Sequence, residues 1–258
     1  SHSGAKKKIN FDKNLYPQFK NKIEHIIVDK EPENILDTDN AHEDINKRTN
    51  SILRISLQRN EALKACKEAS EEDYIFYSDN DEIPNFEKFD FENNRNKIII
   101  FKQKLFYYKF NLQCDWVDWY GTKGCEKKNL KSFSWLREIK AKKYPFFRLD
   151  TLFSKNKYTN VKLVENGGWH FSQLKTPKDI EIKLMNQEHH DEYREAKNKL
   201  PNIEDLVKRK TIIYDHKAKS NEYKFNKEFK LKSIKLEYMP NFLKENISKY
   251  KDWFDYES

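Results

Sequence analysis

Short apolar runs separated by long charged stretches set the rhythm of this chain. Ile23 to Val28 (IEHIIV) reads as a short buried strand, ended by Asp29-Lys30-Glu31-Pro32. Residues 29–48 are polar and acidic, an exposed loop. From about Thr49 to Ala69 the spacing turns helical, with Ile52, Ile55, Ala62, Leu63 and Cys66 on one stripe. Arg59 falls in that stripe, where an arginine needs an anion or must reach the surface. Tyr74-Ile75-Phe76-Tyr77 is a fully apolar run of strand type that breaks at once into Ser78-Asp79-Asn80-Asp81-Glu82-Ile83-Pro84.

Two more strands are predicted over Lys97 to Phe101 and Leu105 to Leu112. Residues 114–135 are aromatic and read as a loop. Val161 to Val164 is another strand, running into Glu165-Asn166-Gly167-Gly168-Trp169-His170-Phe171-Ser172. The charged stretch from Pro177 to about Lys199 reads as helix, and Pro240 to Tyr256 as a final helix or tail. A helix followed by a wholly apolar strand is the unit of an α/β sheet. No repeat and no interdomain linker is visible, so residues 1–258 are read as a single domain.

Composition changes this picture in three ways. Aromatic residues make up 14% of the chain, enough for a substantial core despite a charged fraction of 36%. The net charge of +8 raises the question of a polyanionic partner. The lysines are interspersed with Glu and Asp, however, and no specific nucleic-acid partner is expected. Part of the charge suits a nucleotide diphosphate or peripheral association with an anionic membrane. Cys66, Cys114 and Cys125 are odd in number and lack CxxC spacing, which fits neither a disulfide framework nor a zinc site. With no apolar run near the roughly 20 residues of a membrane span, the expected location is cytoplasmic.

The chemistry concentrates after the Tyr74 to Tyr77 strand. Ligands of open α/β sheets bind beyond the carboxyl ends of strands, and Asp79 and Asp81 sit there, one residue apart. A divalent cation relieves the repulsion between two such carboxylates, and Mg²⁺ or Mn²⁺ commonly shares them with substrate phosphates. A solvated loop pair is the competing reading. An EF-hand is excluded, because Ile83 and Pro84 stand where a ligand and a glycine are required. His170, after two glycines, is either a ligand to metal or phosphate or a structural histidine beside Trp169. His189 and His190 diverge by about 100° on a helix, do not serve one ion, and are assigned to the surface.

Taken in order, Gln58-Arg59-Asn60, Ser78 to Pro84, Trp119-Tyr120-Gly121-Thr122-Lys123 and Gly168-Trp169-His170-Phe171-Ser172 resemble glycosyltransferase family 17. This is the β-1,4-mannosyl-glycoprotein 4-β-N-acetylglucosaminyltransferase family. Thr176-Pro177, Met239-Pro240 and Tyr250 extend the resemblance along nearly the whole chain. Asp-Glu-Ile-Pro and Gly-Trp-His-Phe-Ser are its specific parts. Ser1-His2-Ser3-Gly4 resembles a segment that follows the first strand of that family, which implies that an N-terminal strand and helix are missing here. The resemblance implies a GT-A-like nucleotide-sugar-binding fold, a mixed central sheet flanked by helices. Residues 1–112 would form mainly the donor half, and 113–258 mainly the acceptor half with the C-terminal helices.

It further implies inverting transfer of a sugar, N-acetylglucosamine, from a UDP-sugar to a glycan or lipid-linked saccharide. A divalent metal (Mn²⁺ or Mg²⁺) would be held by Asp79, Asp81 and His170. Arg59, Asn60, Asp79, Glu82, Trp119 and Lys123 would bind the donor. An inverting transfer needs a general base, for which Glu165, Asp118 and Asp115 are the candidates; each is equally read as an ordinary surface acid. Trp116, Trp119 and Tyr120 form either a sugar-stacking wall or part of the core. The chain departs from the bisecting enzymes in having no membrane anchor, no luminal cysteine pattern and one sequon, Asn246-Ile247-Ser248. A bacterial-type relative acting on a cell-surface polysaccharide or lipid-linked glycan fits better. The alternatives are a sugar-binding domain without turnover and a basic nucleic-acid-binding module.

Overall fold

The computed structural model describes residues 8–145, 147–186, 190–219, 222–225 and 227–256. Its centre is β3, Ile98–Tyr107, a strand with almost no exposed position. Successive side chains of a strand point to opposite faces, and here both faces are covered. Ile98 and Ile100 face a cluster with Cys125, Phe133 and Leu136; Ile99 and Phe101 face Phe89 and Val164. Further along, Leu105 and Tyr107 pack on Ile180, Leu184, Ile203 and Leu206. Phe106 turns instead to Phe171, Met239, Leu243 and Phe254.

Around β3 the sheet is mixed. β4, Leu112–Glu126, runs antiparallel on one side. On the other side β5, Val161–Val164, and β6, Gly168–Ser172, pair with β3 in parallel, one beside each half of the strand. β1, Tyr74–Tyr77, pairs with the far end of β4, and β2, Glu82–Pro84, with β6, both antiparallel. A separate ladder joins β7, Thr211–Ile212, to β8, Phe229–Lys230, while β9, Lys232–Ser233, adds to β4. Since β4 lies between β1 and β3, and β6 between β3 and β2, the two halves divided at residue 112 share one sheet. The architecture is α/β, a large mixed sheet flanked by helices.

The helices are short except for α1, Glu43–Glu61, which continues as a 3-10 turn to Cys66. α2, Phe133–Glu138, starts at Ser132, whose hydroxyl accepts from Trp135 N. α3, Pro177–Leu184, is capped by Thr176 with Pro177 in its first turn. α4, His190–Ala196, α5, Ile203–Lys208, and α6, Asn241–Glu245, complete the set. Among the described residues no helix is long and apolar enough to cross a membrane.

Several expectations are corrected. Ile23 to Val28 forms no strand; no ladder receives it, and Ile27 lies exposed. The acidic loop ends early, because α1 begins at Glu43. The two strands expected at 97–101 and 105–112 are one strand, β3, up to Tyr107; residues 108–111 turn, and Leu112 opens β4. The stretch 114–135, read as loop, is mostly β4. The register of β3 against β4 slips between Ile100 and Lys102 and again between Lys104 and Phe106. Such bulges break the two-residue alternation by which a strand is recognised. The helix expected over 177–199 is α3, α4 and a 3-10 turn at 197–199, with 187–189 outside the described residues. His190 is not on the surface: it is 4% exposed in the α4 core. His189 lies outside the described residues.

Candidate functional site

β1 delivers the chain to a turn at Ser78–Asp81, after which Glu82 enters β2 opposite His170. The turn is closed locally, Glu82 N donating to Asp79 O and Asp79 N to Glu82 Oε2. The Glu82 side chain is 0% exposed, and a carboxylate so placed must be paired and hydrogen-bonded. Trp119 Nε1 donates to its Oε1 at 2.8 Å. Arg137 Nη2 reaches the same oxygen at 2.8 Å and the Asp79 Oδ2 at 2.9 Å. Arg137 Nη1 donates to Gly121 O at 2.7 Å. One guanidinium thus ties α2, β4 and the acidic turn together.

Gly121 is required where it stands. A Cβ there would lie 1.8 Å from Gln103 Oε1 and 2.9 Å from Glu82 Cδ, so any side chain would displace the Gln103 amide and crowd the buried carboxylate. Gly168, at φ +129, is likewise confined, its Cβ position being 2.1 Å from Ile83 O. The second arginine, Arg59, explains its place in an apolar stripe. Its Nε donates to Tyr77 Oη at 3.3 Å, Tyr77 Oη donates to Asp79 Oδ1 at 3.0 Å, and Arg59 Nη2 lies 3.7 Å from that oxygen. Burial, with the charge of Asp79, pushes the Tyr77 hydroxyl up.

On the other side of the turn, His170 Nε2 faces Asp81 Oδ1 at 3.4 Å. The imidazole is buried against Trp119, ring centres 4.3 Å apart, and its Nδ1 has no hydrogen-bond partner among the described residues. Burial alone would raise the Asp81 carboxyl. The hydrogen bond and electrostatic pull of His170, with Lys183 beyond, outweigh it and hold Asp81 below the usual carboxylate range. Behind these rings, His216 is hydrogen-bonded to Tyr107 Oη and packs near Trp116, Trp119 and Tyr214. Burial, and then the neighbouring His170, push the His216 imidazole down to about 4.

Arg59, Asp79, Glu82 and Trp119 therefore come together around one turn, and Asp81 pairs with His170 beside them. Asn60 and Lys123 are placed differently from donor ligands. Asn60 Oδ1 accepts from Ser134 N and pins α1 to the start of α2. The Lys123 ammonium is buried and donates to the carbonyls of Arg137 and of Ile139, the latter at 2.6 Å. Burial, then the charge of Arg137, push it down to about 7. Both residues hold the helix that carries Arg137.

The three candidate bases are exposed, and two of them are paired with a lysine. Asp118 and Glu165 meet at Lys102 Nζ, at 3.1 and 3.4 Å, with both carboxylates largely in solvent. Asp115 is exposed on β4. Trp116 and Tyr120 are packed in the core, Trp116 stacked on Phe229 at 4.2 Å. Trp119 alone of the proposed aromatic wall reaches the site.

Two further elements beside the acidic turn are given no role by sequence reading. Arg137 sits in Phe133-Ser-Trp-Leu-Arg-Glu-Ile139, an arginine in an apolar helical turn, the same signal that marks Arg59. The polar set of Ser78, Gln103 and Thr122 leaves no such mark: Thr122 Oγ1 lies 2.6 Å from Ser78 Oγ and accepts from Gln103 Nε2. Among the described residues no three His, Cys, Asp or Glu side chains gather as a metal-holding group. Asp79 is turned to the two arginines and Asp81 to His170. The protein donors therefore come to a pair, and a cation there needs further oxygens from a substrate. Compared with protein-family models, with curated proteins and with solved structures, the chain has no match.

Proposed function

We propose that this chain is a GT-A-type inverting glycosyltransferase moving a sugar, N-acetylglucosamine by its sequence resemblance, from a UDP-sugar to a glycan or lipid-linked saccharide. One observation carries the reading. The segments around residues 59, 79–82, 119–121 and 168–172, which bear the resemblance, meet at the end of β1, with Glu82 buried beneath Asp79 and Asp81 at the surface. Structural acids scattered at random would not collect two arginines, an indole and an imidazole around one turn.

In this reading Arg59, held on α1, presents a cationic group toward a diphosphate, while Arg137, already bonded to Glu82, Asp79 and Gly121 O, fixes the acidic turn beside it. Asp81 and His170 would hold a Mn²⁺ or Mg²⁺ ion together with the diphosphate, and that ion would neutralise charge on the departing nucleotide. Trp119 offers an apolar face to a sugar ring. The buried Glu82 orients Arg137 and Trp119 and excludes water from beneath the turn. Isothermal titration of UDP-GlcNAc with and without Mn²⁺ tests this. Metal-dependent binding is the expected result; absence of binding to UDP-GlcNAc and to other UDP-sugars overturns it.

A sugar-binding domain without turnover is the second reading. It is favoured by the pairing of Asp118 and Glu165, two of the candidate bases, with Lys102. Metal-dependent donor binding with no hydrolysis or transfer of the sugar would select it.

A further inference from the structure

Beyond the donor site, a second surface stands out. Residues 140–157 leave the end of α2 and return to it as one loop, closed at the neck. Lys140 N donates to Asn156 O at 2.8 Å, and Trp135 Nε1 donates to Lys155 O at 3.1 Å. Within the loop, Arg148 grips both oxygens of Asp150 at 2.7 and 3.0 Å, and Lys157 reaches the same carboxylate at 2.9 Å. A 3-10 turn at Leu149–Thr151 sits at its tip. These bonds give the loop an internal frame, yet four of its large apolar side chains lie largely in solvent. Phe147, Leu149, Leu152 and Phe153 are 69%, 71%, 74% and 89% exposed. Single exposed leucines are ordinary on a protein surface; four large apolar side chains within seven residues mark an interaction site.

The charge around this tip identifies what it meets. Residues 140–157 carry six Lys and Arg against one Asp. Lys142 and Lys143 before the tip, and Lys155 after it, are exposed. Apolar side chains at a tip with cations set behind them are the arrangement that enters an anionic lipid surface: the apolar groups pass the headgroups and the lysines stay among the phosphates. Nucleic acid fits less well. Two of the four exposed side chains are aliphatic and give bases no stacking face, and the one arginine is committed to Asp150. We infer that the 140–157 loop is a membrane-docking element that inserts Phe147, Leu149, Leu152 and Phe153 into the headgroup region of an anionic bilayer. Its neck begins just after Arg137, so docking holds the arginine-bearing helix at the lipid surface.

Co-sedimentation of the full chain with vesicles tests this. Phosphatidylcholine vesicles are compared with vesicles containing phosphatidylglycerol, at low and at high salt. The chain binds the anionic vesicles at least ~10-fold more tightly, and salt weakens the binding. The double substitution L152E/F153E lowers the affinity by ~10-fold or more, and K142E/K143E lowers it only on the anionic vesicles. All four positions are on the surface, so the thermal midpoint is unchanged. Wild-type failure to bind anionic vesicles overturns the assignment. So does undiminished binding by L152E/F153E, or retention on single-stranded DNA without binding to vesicles.

Discussion

Arg137 donates through Nη2 to Glu82 Oε1 at 2.8 Å, with the glutamate side chain fully enclosed and the arginine side chain 15% exposed. This ion pair is the joint between the sheet and α2. Its strength rests on shared partners: Trp119 and the Asp79 amide complete the carboxylate, while Asp79 and Gly121 O complete the guanidinium. A buried pair gains little over an apolar substitute, but removing one partner strands the other.

Glu82→Ala therefore destabilises the chain by about 3–5 kcal/mol, because Arg137 and the Trp119 indole lose their common acceptor. Glu82→Gln keeps an acceptor oxygen and loses less. Urea unfolding of the two variants measures the difference; equal midpoints would show that the acceptor oxygen kept by Gln contributes nothing.

Asp79 and Asp81 have different neighbours and should fail differently. Asp81→Asn removes the carboxylate facing His170 and abolishes the Mn²⁺ dependence of UDP-GlcNAc binding. Asp79→Asn removes the carboxylate that positions Arg137 and Arg59 and weakens donor binding by a smaller factor. Titration of both variants with and without Mn²⁺ separates the roles. Unchanged metal-dependent binding by Asp81→Asn removes that residue from the cation site.

His216 predicts an acid limb of stability. Its imidazole titrates near 4 when folded, below the ordinary value of 6.5, because burial disfavours the charged form. Between those values the unfolded chain binds more protons, so stability falls as the pH drops from 6.5 towards 4. The contribution is of order 3 kcal/mol at most. His216→Phe also loses the bond to Tyr107 and is less stable at neutral pH, but its stability falls less over this interval. Denaturant midpoints of both proteins between pH 7 and 4 make the comparison, and parallel curves would remove His216 as the cause.

The legible part of the site was the part that breaks local rules. An acidic string directly after an apolar strand and an arginine within an apolar helical stripe are visible in one dimension, since burying charge demands a partner somewhere. Arg137 carries the same mark but has no neighbouring motif to draw attention to it. The general base was not legible at all. A surface carboxylate differs from a catalytic one only by what stands across from it, and Asp118 and Glu165 stand across from Lys102.

The sequence by itself determined the α/β class, the strands Tyr74–Tyr77 and Val161–Val164, the existence of α1 and the acidic turn. Continuous apolar runs and helical stripes are local properties that survive any arrangement of the rest. Only the tertiary structure decided that residues 98–107 are one strand, that the aromatic stretch 112–126 is its partner, and that Ile23 to Val28 pairs with nothing. Those outcomes depend on register slips and on which edge a strand meets, and both are set by contacts between segments distant in sequence. The same holds for Lys123 and Asn60, whose polar atoms are taken by the backbone of α2. Whether a polar side chain faces a ligand or a neighbouring helix is a matter of packing, which no spacing along the chain encodes.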